Sequence, residues 1–374
     1  MRLKKPVVGV LLIGVLTVFA VSTFSSQMKN TPQPTITPQN VSLLNSEALL
    51  GITPQPDGAL CSFDPMWREP SAWEDMIANP PTAAGIGHSM IDIDMPGTLL
   101  IGASTVRIEP NSPTTGTFHM FYAAAEAEPS SIKIRYILLI DEQQALIDGQ
   151  QLYAEVTLDS GREASLAIAI PPFAPGIHDL IIIALVANEL NAYGETLTIA
   201  TRISFVAGET FPPVEQIYQR LQPAVTKSQD SSFFTLGVHT DESQLLWAAP
   251  DIYKQVEESL DFFISAGYME NEGRMRERGI TAQPMTTAFV GLLDGQQIAL
   301  SDDSEAFYAE ITTDNTYSFI PVSIDATGYT GKQELTILRI DYPRIPMCWL
   351  QGGGENYAFS NYVFAKRHGV DFGE

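Results

Sequence analysis

The chain has 374 residues, 45% of them apolar and 17% charged, which excludes both a disordered tail and a multispan membrane protein. Lys and Arg number 21 against 44 Asp and Glu, and a net charge of −23 argues against a nucleic-acid or anionic-lipid surface as partner. At about 100–200 residues per domain, the length corresponds to two or three domains.

Residues 1–26 form a signal or membrane-anchor segment. Arg2, Lys4 and Lys5 precede an apolar run from Val7 to Val21, which has the size of a signal-peptide core and approaches a bilayer span only if Ser22, Thr23 and Phe24 are included. Ala20-Val21-Ser22 offers a weak cleavage site, so the balance tips toward an uncleaved anchor. Both readings leave the basic end in the cytoplasm and export the rest. Residues 27–58, with Pro32, Pro34, Pro38, Pro54 and Pro56, read as a stalk, in which Leu43 to Leu50 has the composition of a short docking helix.

Residues 59–85, with Trp67 and Trp73, are expected to pack on the body of the protein. Cys61 lies here and Cys348 beyond the last repeat, and an oxidising compartment favours their pairing over two separate buried thiols. A bridge closing so long a loop contributes about 5–6 kcal/mol as an upper bound.

The body contains an internal repeat. Asp141, Gln143-Gln144 and Tyr153-Ala154-Glu155-Val156-Thr157 recur as Asp294, Gln296-Gln297 and Tyr308-Ala309-Glu310-Ile311-Thr312. Gly176 and Asp179-Leu180 recur as Gly331 and Glu334-Leu335, and Phe118, Met120 and Tyr122 match Leu260, Phe262 and Ile264. The spacing between copies lengthens between the last pair and the others, which places an insertion in the second copy near Tyr268 to Gln283. Copy one is assigned to residues 86–208 and copy two to residues 233–345.

Within each copy the period is two. Leu152, Ala154, Val156 and Leu158 alternate with Tyr153, Glu155 and Thr157, and Phe307, Ala309 and Ile311 keep the same phase, so these are half-buried strands. Asp148-Gly149 and Asp294-Gly295 are expected hairpin turns. Residues 209–232 place Val214, Ile217, Tyr218, Leu221 and Val225 at helical spacing behind Pro212 and Pro213, which predicts a short inter-module helix. Residues 346–374 carry Tyr357, Phe359, Tyr362 and Phe364 after three glycines and are expected to add a final strand or cover an edge.

The predicted fold is all-β, two tandem β-sandwiches. Through Gly116 to Ala125, Glu257 to Gly267 and Pro175 to Leu180, both copies resemble bacterial immunoglobulin-like or fibronectin type III-like modules. Neither has an internal cysteine pair, so antibody-like dimerisation is not implied. The architecture itself specifies no activity.

The chemical motifs are incomplete. Gly87-His88-Ser89-Met90 lacks the closing glycine of a nucleophile elbow, and Gly328 to Lys332 lacks the spacing and the hydroxyl of a phosphate loop. His88, His119, His178, His239 and His368 show no metal spacing and are read as surface or strand-end residues. Asp92 and Asp94, and Asp302, Asp303 and Glu305, are read as solvated acidic turns rather than calcium loops. No cofactor is expected.

Arg274, Arg276 and Arg278, in the inserted segment of an otherwise arginine-poor chain, form the candidate binding loop. Tyr153 and Tyr308 are assigned either to a contact between modules or partner or to cross-strand packing. The composite expectation is an exported, tethered, non-enzymatic binding or scaffolding protein at the cell surface whose partner is a protein or a surface polymer. Its rivals are an accessory subunit of an envelope complex and a carbohydrate-binding protein.

Overall fold

The structure, a computed structural model, describes residues 42–44, 85–93, 99–101, 104–123, 131–159, 162–186, 198–208, 214–216, 221, 223, 225–228, 236–240, 258–267, 285–301, 304–311, 316–344 and 363–373. Every regular element among them is a β-strand. The N-terminal part contains β1 (Ser42–Leu44), β2 (Gly85–Ile93), β3 (Leu99–Ile101), β4 (Ser104–Ile108), β5 (Thr114–Ala123), β6 (Ser131–Ile140), β7 (Gln143–Ala145), β8 (Tyr153–Asp159), β9 (Arg162–Ile170), β10 (Gly176–Val186) and β11 (Thr198–Ala207). There follow β12 (Val214–Gln216), β13 (Val225–Ser228), β14 (Leu236–His239), β15 (Ser259–Gly267), β16 (Met285–Leu293), β17 (Gln296–Ile298), β18 (Ala306–Ile311), β19 (Thr316–Asp325), β20 (Lys332–Asp341) and β21 (Val363–Asp371).

The repeat governs the pairing. In the first copy one sheet runs β3-β2-β5-β9 and the other β4-β11-β10-β6-β7, with β8 also on β6. In the second, β13-β19-β15-β14 and β17-β16-β20-β21, with β18 also on β16, retain the order of the shared strands. Phe118 and Met120 of β5 and Leu260, Phe262 and Ile264 of β15 lie in the respective cores, as their matched sequences require. The final strand anticipated from the C-terminal aromatic segment is β21, paired antiparallel with β20.

The β6–β7 and β16–β17 hairpins turn through two residues, Asp141-Glu142 and Asp294-Gly295, all at positive φ as a type I′ turn demands. In both, the aspartate carboxylate accepts the backbone N–H of the adjacent strand, Asp179 in one and Glu334 in the other, at 2.9 Å. That hook explains why Asp141/Asp294 and the segments after Gly176/Gly331 recur together. Asp148-Gly149 is different: Asp148 caps the N–H groups of Gln150 and Gln151, but β7 and β8 both pair with β6 rather than with each other.

The helix expected between the copies is not present where the structure describes the segment. Val214 to Gln216 pairs with Ser42 to Leu44, and Val225 to Ser228 joins the edge of the second copy on β19. The apolar residues at helical spacing serve another purpose: Leu221 packs on the core of the second copy and donates its N–H to the carbonyl of Tyr308. Tertiary pairing partners override a local periodicity when they supply both backbone bonds and burial. The docking helix proposed around Leu43 likewise begins as strand β1.

Among the described residues three large apolar clusters stand out, beside a small one of Tyr317 and Phe319. One fills the first copy around Phe118, Leu138, Leu180, Ile203 and Phe205, and one fills the second around Phe262, Phe289, Phe307, Ile320 and Ile337. The third lies between them: Ile137, Leu139, Ile181, Ile183 and Leu185 pack against Ala288, Val290, Leu292, Tyr308, Leu338 and Ile340. Strand β10 is therefore buried on both faces, Leu180, Ile182 and Ala184 inward and Ile181, Ile183 and Leu185 outward. This is why its sequence is a continuous apolar run instead of an alternation.

Candidate functional site

The face where the copies meet concentrates the polar groups of the described structure. At its edge Gln144 and Gln297, equivalent residues of β7 and β17, cross reciprocally. The N–H of Gln144 donates to Gln297 Oε1 at 2.5 Å, and the N–H of Gln297 donates to Gln144 Oε1 at 2.7 Å. Gln144 Nε2 donates to the carbonyls of Gly295 and Leu152, and Gln297 Nε2 to those of Glu142 and Glu305. Each residue repeats its partner's bonds, which is the signature of an isologous contact, here formed within one chain. The glutamines also satisfy two edge strands that would otherwise present open N–H groups.

The two corners flanking this crossing differ. At the first, Glu142 is fully buried and its Oε2 accepts Tyr308 Oη at 2.9 Å and Arg344 Nη2 at 2.8 Å, while Oε1 has no partner. Burial pushes its carboxyl above the usual glutamate value against the opposing pull of Arg344, with Asp141 and Asp179 adding to the rise. Glu142 also sits at φ 64, where the second copy has glycine. A non-glycine residue held there is maintained by its surroundings.

Behind this corner Asp179 Oδ2 accepts Arg202 Nη2 at 2.7 Å and the N–H of Arg344 at 2.6 Å, and its Oδ1 accepts Ser204 Oγ at 3.0 Å. Arg202 reaches across the contact to the carbonyls of Asp341 and Tyr342, both at 2.6 Å. Asp341 in turn holds Arg339 through both carboxylate oxygens and accepts Thr287 Oγ1. Charge is thus neutralised pair by pair in an apolar setting, as buried ions require.

At the rim, His178 places Nδ1 2.6 Å from Asp141 Oδ2 and Nε2 2.9 Å from the carbonyl of Ala174. Burial opposes the charged ring, but the Asp141 carboxylate and the Ala174 carbonyl outweigh it and raise the pKa. Both nitrogens face acceptors, the arrangement of an imidazolium.

At the second corner Gly295 stands opposite Arg135. Arg135 donates to the carbonyl of Asp294 at 3.0 Å, binds Glu155, and lies 4.7 Å over the Tyr153 ring. A Cβ on Gly295 would meet Arg135 Cδ at 3.0 Å, and its φ of 81° already disfavours a side chain. Gly295→Ala is expected to cost about 1–2 kcal/mol by urea unfolding.

Tyr308 and Tyr153 occupy the contact between the copies, the first of the alternatives raised for them, and Tyr308 is buried instead of exposed. Of the histidines read as surface residues, His239 and His368 are buried. His239 Nε2 lies 2.8 Å from Ser265 Oγ, while neither ring nitrogen of His368 has a partner. Gly87 to Met90 runs within strand β2, where an elbow has no place. Cys61, Cys348, Arg274, Arg276 and Arg278 lie outside the described residues, as do all four tryptophans and residues 1–41. Glu142, Arg202 and Arg344 escaped the sequence reading, and Asp179 entered it only as a landmark of the repeat. Their available signal was the departure of one copy from the other, Glu142 against Gly295 above all. Among the described residues no group of three or more His, Cys, Asp or Glu is placed to hold a metal, and no helix is long and apolar enough to cross a membrane.

Two sheets, antiparallel but for the parallel β4–β11 pair, stacked over a common core, twice in one chain and with the shared strands in the same order, define repeated immunoglobulin-like or fibronectin III-like β-sandwich architecture. No family model matches the chain, and no curated protein does. Solved structures similar to it include the fibronectin III-like modules of CbhA from Clostridium thermocellum, at 10% identity over 75% of this chain and 93% of that one, TM-score 0.17. A CARDB domain from Pyrococcus furiosus, in complex with di-metal ions, aligns at 15% identity over 34% of this chain and 95% of its own, TM-score 0.22. A C. elegans MSP family member aligns at 16% identity over 32% of this chain and its full length, TM-score 0.19.

The glutamine crossing yields a direct expectation. Gln144→Ala removes donors to two carbonyls and the acceptor for the Gln297 N–H, and is expected to cost about 2–3 kcal/mol. Because Gln297→Ala breaks the same crossing, the double variant should cost clearly less than the two singles summed, by a coupling of about 1–2 kcal/mol in a denaturation cycle. Strict additivity would mean that the two glutamines act independently, and a cost near zero for both single variants would mean that the crossing carries no stability.

Proposed function

We propose that the protein is an exported, membrane-tethered, non-enzymatic scaffold at the cell surface, in which two immunoglobulin-like modules (86–208 and 233–345) are joined as one rigid platform for a protein or surface-polymer partner. The observation that carries this reading is the apolar, reciprocal contact between the copies. Tandem modules on a flexible linker present each surface independently, whereas a buried apolar face with crossed glutamines holds both in one orientation. The basic-then-apolar N-terminus and the proline-rich stalk support export and tethering, and the exposed, acidic composition suits a surface away from anionic lipid.

The reading is tested on the full-length protein in its native cells. It should sediment with membranes, be cleaved by protease added to intact cells, and bring down a stoichiometric partner or bind surface polymer after extraction in mild detergent. Protection from external protease together with a soluble cytosolic fraction would overturn export. Turnover abolished by substituting one polar residue would overturn the non-enzymatic assignment.

A further inference from the structure

At the first corner a cation of one copy and a cation of the other share a carboxylate. Asp141, in the β6–β7 turn, has its Oδ2 2.6 Å from His178 Nδ1 of its own copy. Its Oδ1 accepts the N–H of Asp179 and lies 3.9 Å from Arg344 Nε of the second copy. Arg344 Nε is at the same time 3.2 Å from Glu142 Oε2, so the guanidinium stands between two carboxylates of copy one and is the nearer to Glu142. The His178 and Asp141 side chains are 17% and 23% exposed, which leaves this pair open to protons from solvent while Glu142 and Asp179 behind it are sealed.

The proton on His178 sets how strongly Asp141 draws Arg344. With the ring charged, Asp141 is paired inside its own copy, and imidazolium and guanidinium repel each other across it. With the ring neutral, Asp141 keeps only a hydrogen bond there, and Arg344 is the other cation within 4 Å of it among the described residues. The remaining charged groups of the corner are bonded elsewhere: Asp179 to Arg202, Glu142 to Arg344 and the Tyr308 hydroxyl, and Asp341, beyond Arg202, to Arg339. We infer that Asp141 is contested between His178 and Arg344, so that uptake of a proton by His178 loosens the contact between the copies and its release tightens it.

The direction follows from which copy each influence comes from. Burial lowers the proton affinity of His178, and the Asp141 carboxylate and Ala174 carbonyl raise it above the ordinary value. Both acceptors belong to copy one and act whether the contact is open or closed. Arg344, from copy two, acts against the charged ring. Closing the contact therefore depresses the pKa of His178 relative to the open state, and what the neutral ring contributes to the contact is full above the open-state pKa and lost as the pH falls through the closed-state one. Complete unfolding also breaks the bonds to Asp141 and Ala174, so overall stability depends on this histidine with the opposite sign. The inference rests on the contact that the platform reading invokes, and its failure would leave that contact in place.

The test is a histidine titration of the full-length protein in mild detergent, with isotope-labelled histidine followed by NMR and the His178 signal assigned by its absence in H178Q. R344Q, which removes the cation of copy two, is expected to raise the pKa of His178 by about half a unit or more, whereas R135Q at the second corner leaves it unchanged. The same coupling is read from the other side by hydrogen exchange. Protection of the peptides carrying Gln144 and Gln297, expressed against the unfolded chain at the same pH, should rise between pH 5.5 and 8.5 about threefold more in wild type than in H178Q. If R344Q does not fold, the exchange comparison decides by itself. A His178 pKa that is unchanged or lower in R344Q, or shifted as far in R135Q, overturns the inference, as does an equal rise in protection in wild type and H178Q.

Discussion

Asp179→Ala is expected to be among the most destabilising single substitutions in the protein, at about 3–5 kcal/mol. The carboxylate has no exposure to solvent and serves three donors, Arg202 Nη2, the N–H of Arg344 and Ser204 Oγ. Removing it takes the carboxylate counterion from the Arg202 guanidinium, also without exposure, which donates in addition to the carbonyls of Asp341 and Tyr342. Solvent screening, which makes surface pairs nearly worthless, does not operate here. The same reasoning predicts the behaviour of the pair removed together: Asp179→Leu with Arg202→Met, which takes away both charges at similar volume, should recover most of the loss. Urea unfolding of the three proteins decides it. A single-variant cost below about 1 kcal/mol would show that water reaches the pair and that the contact is not sealed.

Much of the fold could be read from residues alone because burial in a β-protein imposes a period. The alternation from Leu152 to Leu158 and its echo at Phe307, Ala309 and Ile311 identify the strands and the faces that enter each core, and Leu158, Phe307, Ala309 and Ile311 lie there. The repeat told more than any single motif, since equivalent landmarks prove to be equivalent bonds: Asp141 and Asp294 hook the neighbouring strand identically. What the period hid was the second face. A strand half-buried in one copy is fully buried when the other copy covers it, so Tyr308, polar-phased with Glu310, belongs to an apolar cluster. The uninterrupted run from Leu180 to Val186 was the visible sign, because a strand with one face in water has no use for seven consecutive apolar residues.

The candidate site was harder for a physical reason. Glu142, Arg202 and Arg344 come from a turn, from β11 between β4 and β10, and from the segment after β20, and no local spacing links groups that meet only through tertiary packing. A charged residue in a turn normally reads as solvated, and Glu142 departs from that rule only because the opposite copy closes over it. The inter-module helix failed on the same ground. Val214 and Val225 were placed on a helical stripe, but each found a strand partner, β1 and β19, that supplies backbone bonds.

The histidines of the two copies pull stability in opposite directions with pH, and His368 should dominate on the acid side. Its ring lies in the second copy with neither nitrogen bonded; burial first, then Lys366 and His239, push its pKa down to about 3. Below its ordinary value of about 6.5 the unfolded chain takes up a proton that the folded chain refuses, so the stability present above that pH is lost as the pH falls toward 3, in total on the order of 5 kcal/mol. His178 behaves conversely: its pKa is raised, so what it adds is full below about 6.5 and fades as the pH rises through its folded value. His368→Leu removes the acid penalty and two unsatisfied buried atoms together. It should stabilise the protein by about 1–3 kcal/mol near neutrality. Between pH 7.5 and 4.5 the wild type should lose about 2–3 kcal/mol more than the variant in urea unfolding, because the groups other than His368 titrate equally in both proteins. Equal losses in the two proteins would mean that the ring is protonated in the folded state, and hence that water or an unrecognised acceptor reaches it despite its burial on β21 opposite the buried Leu335 of β20.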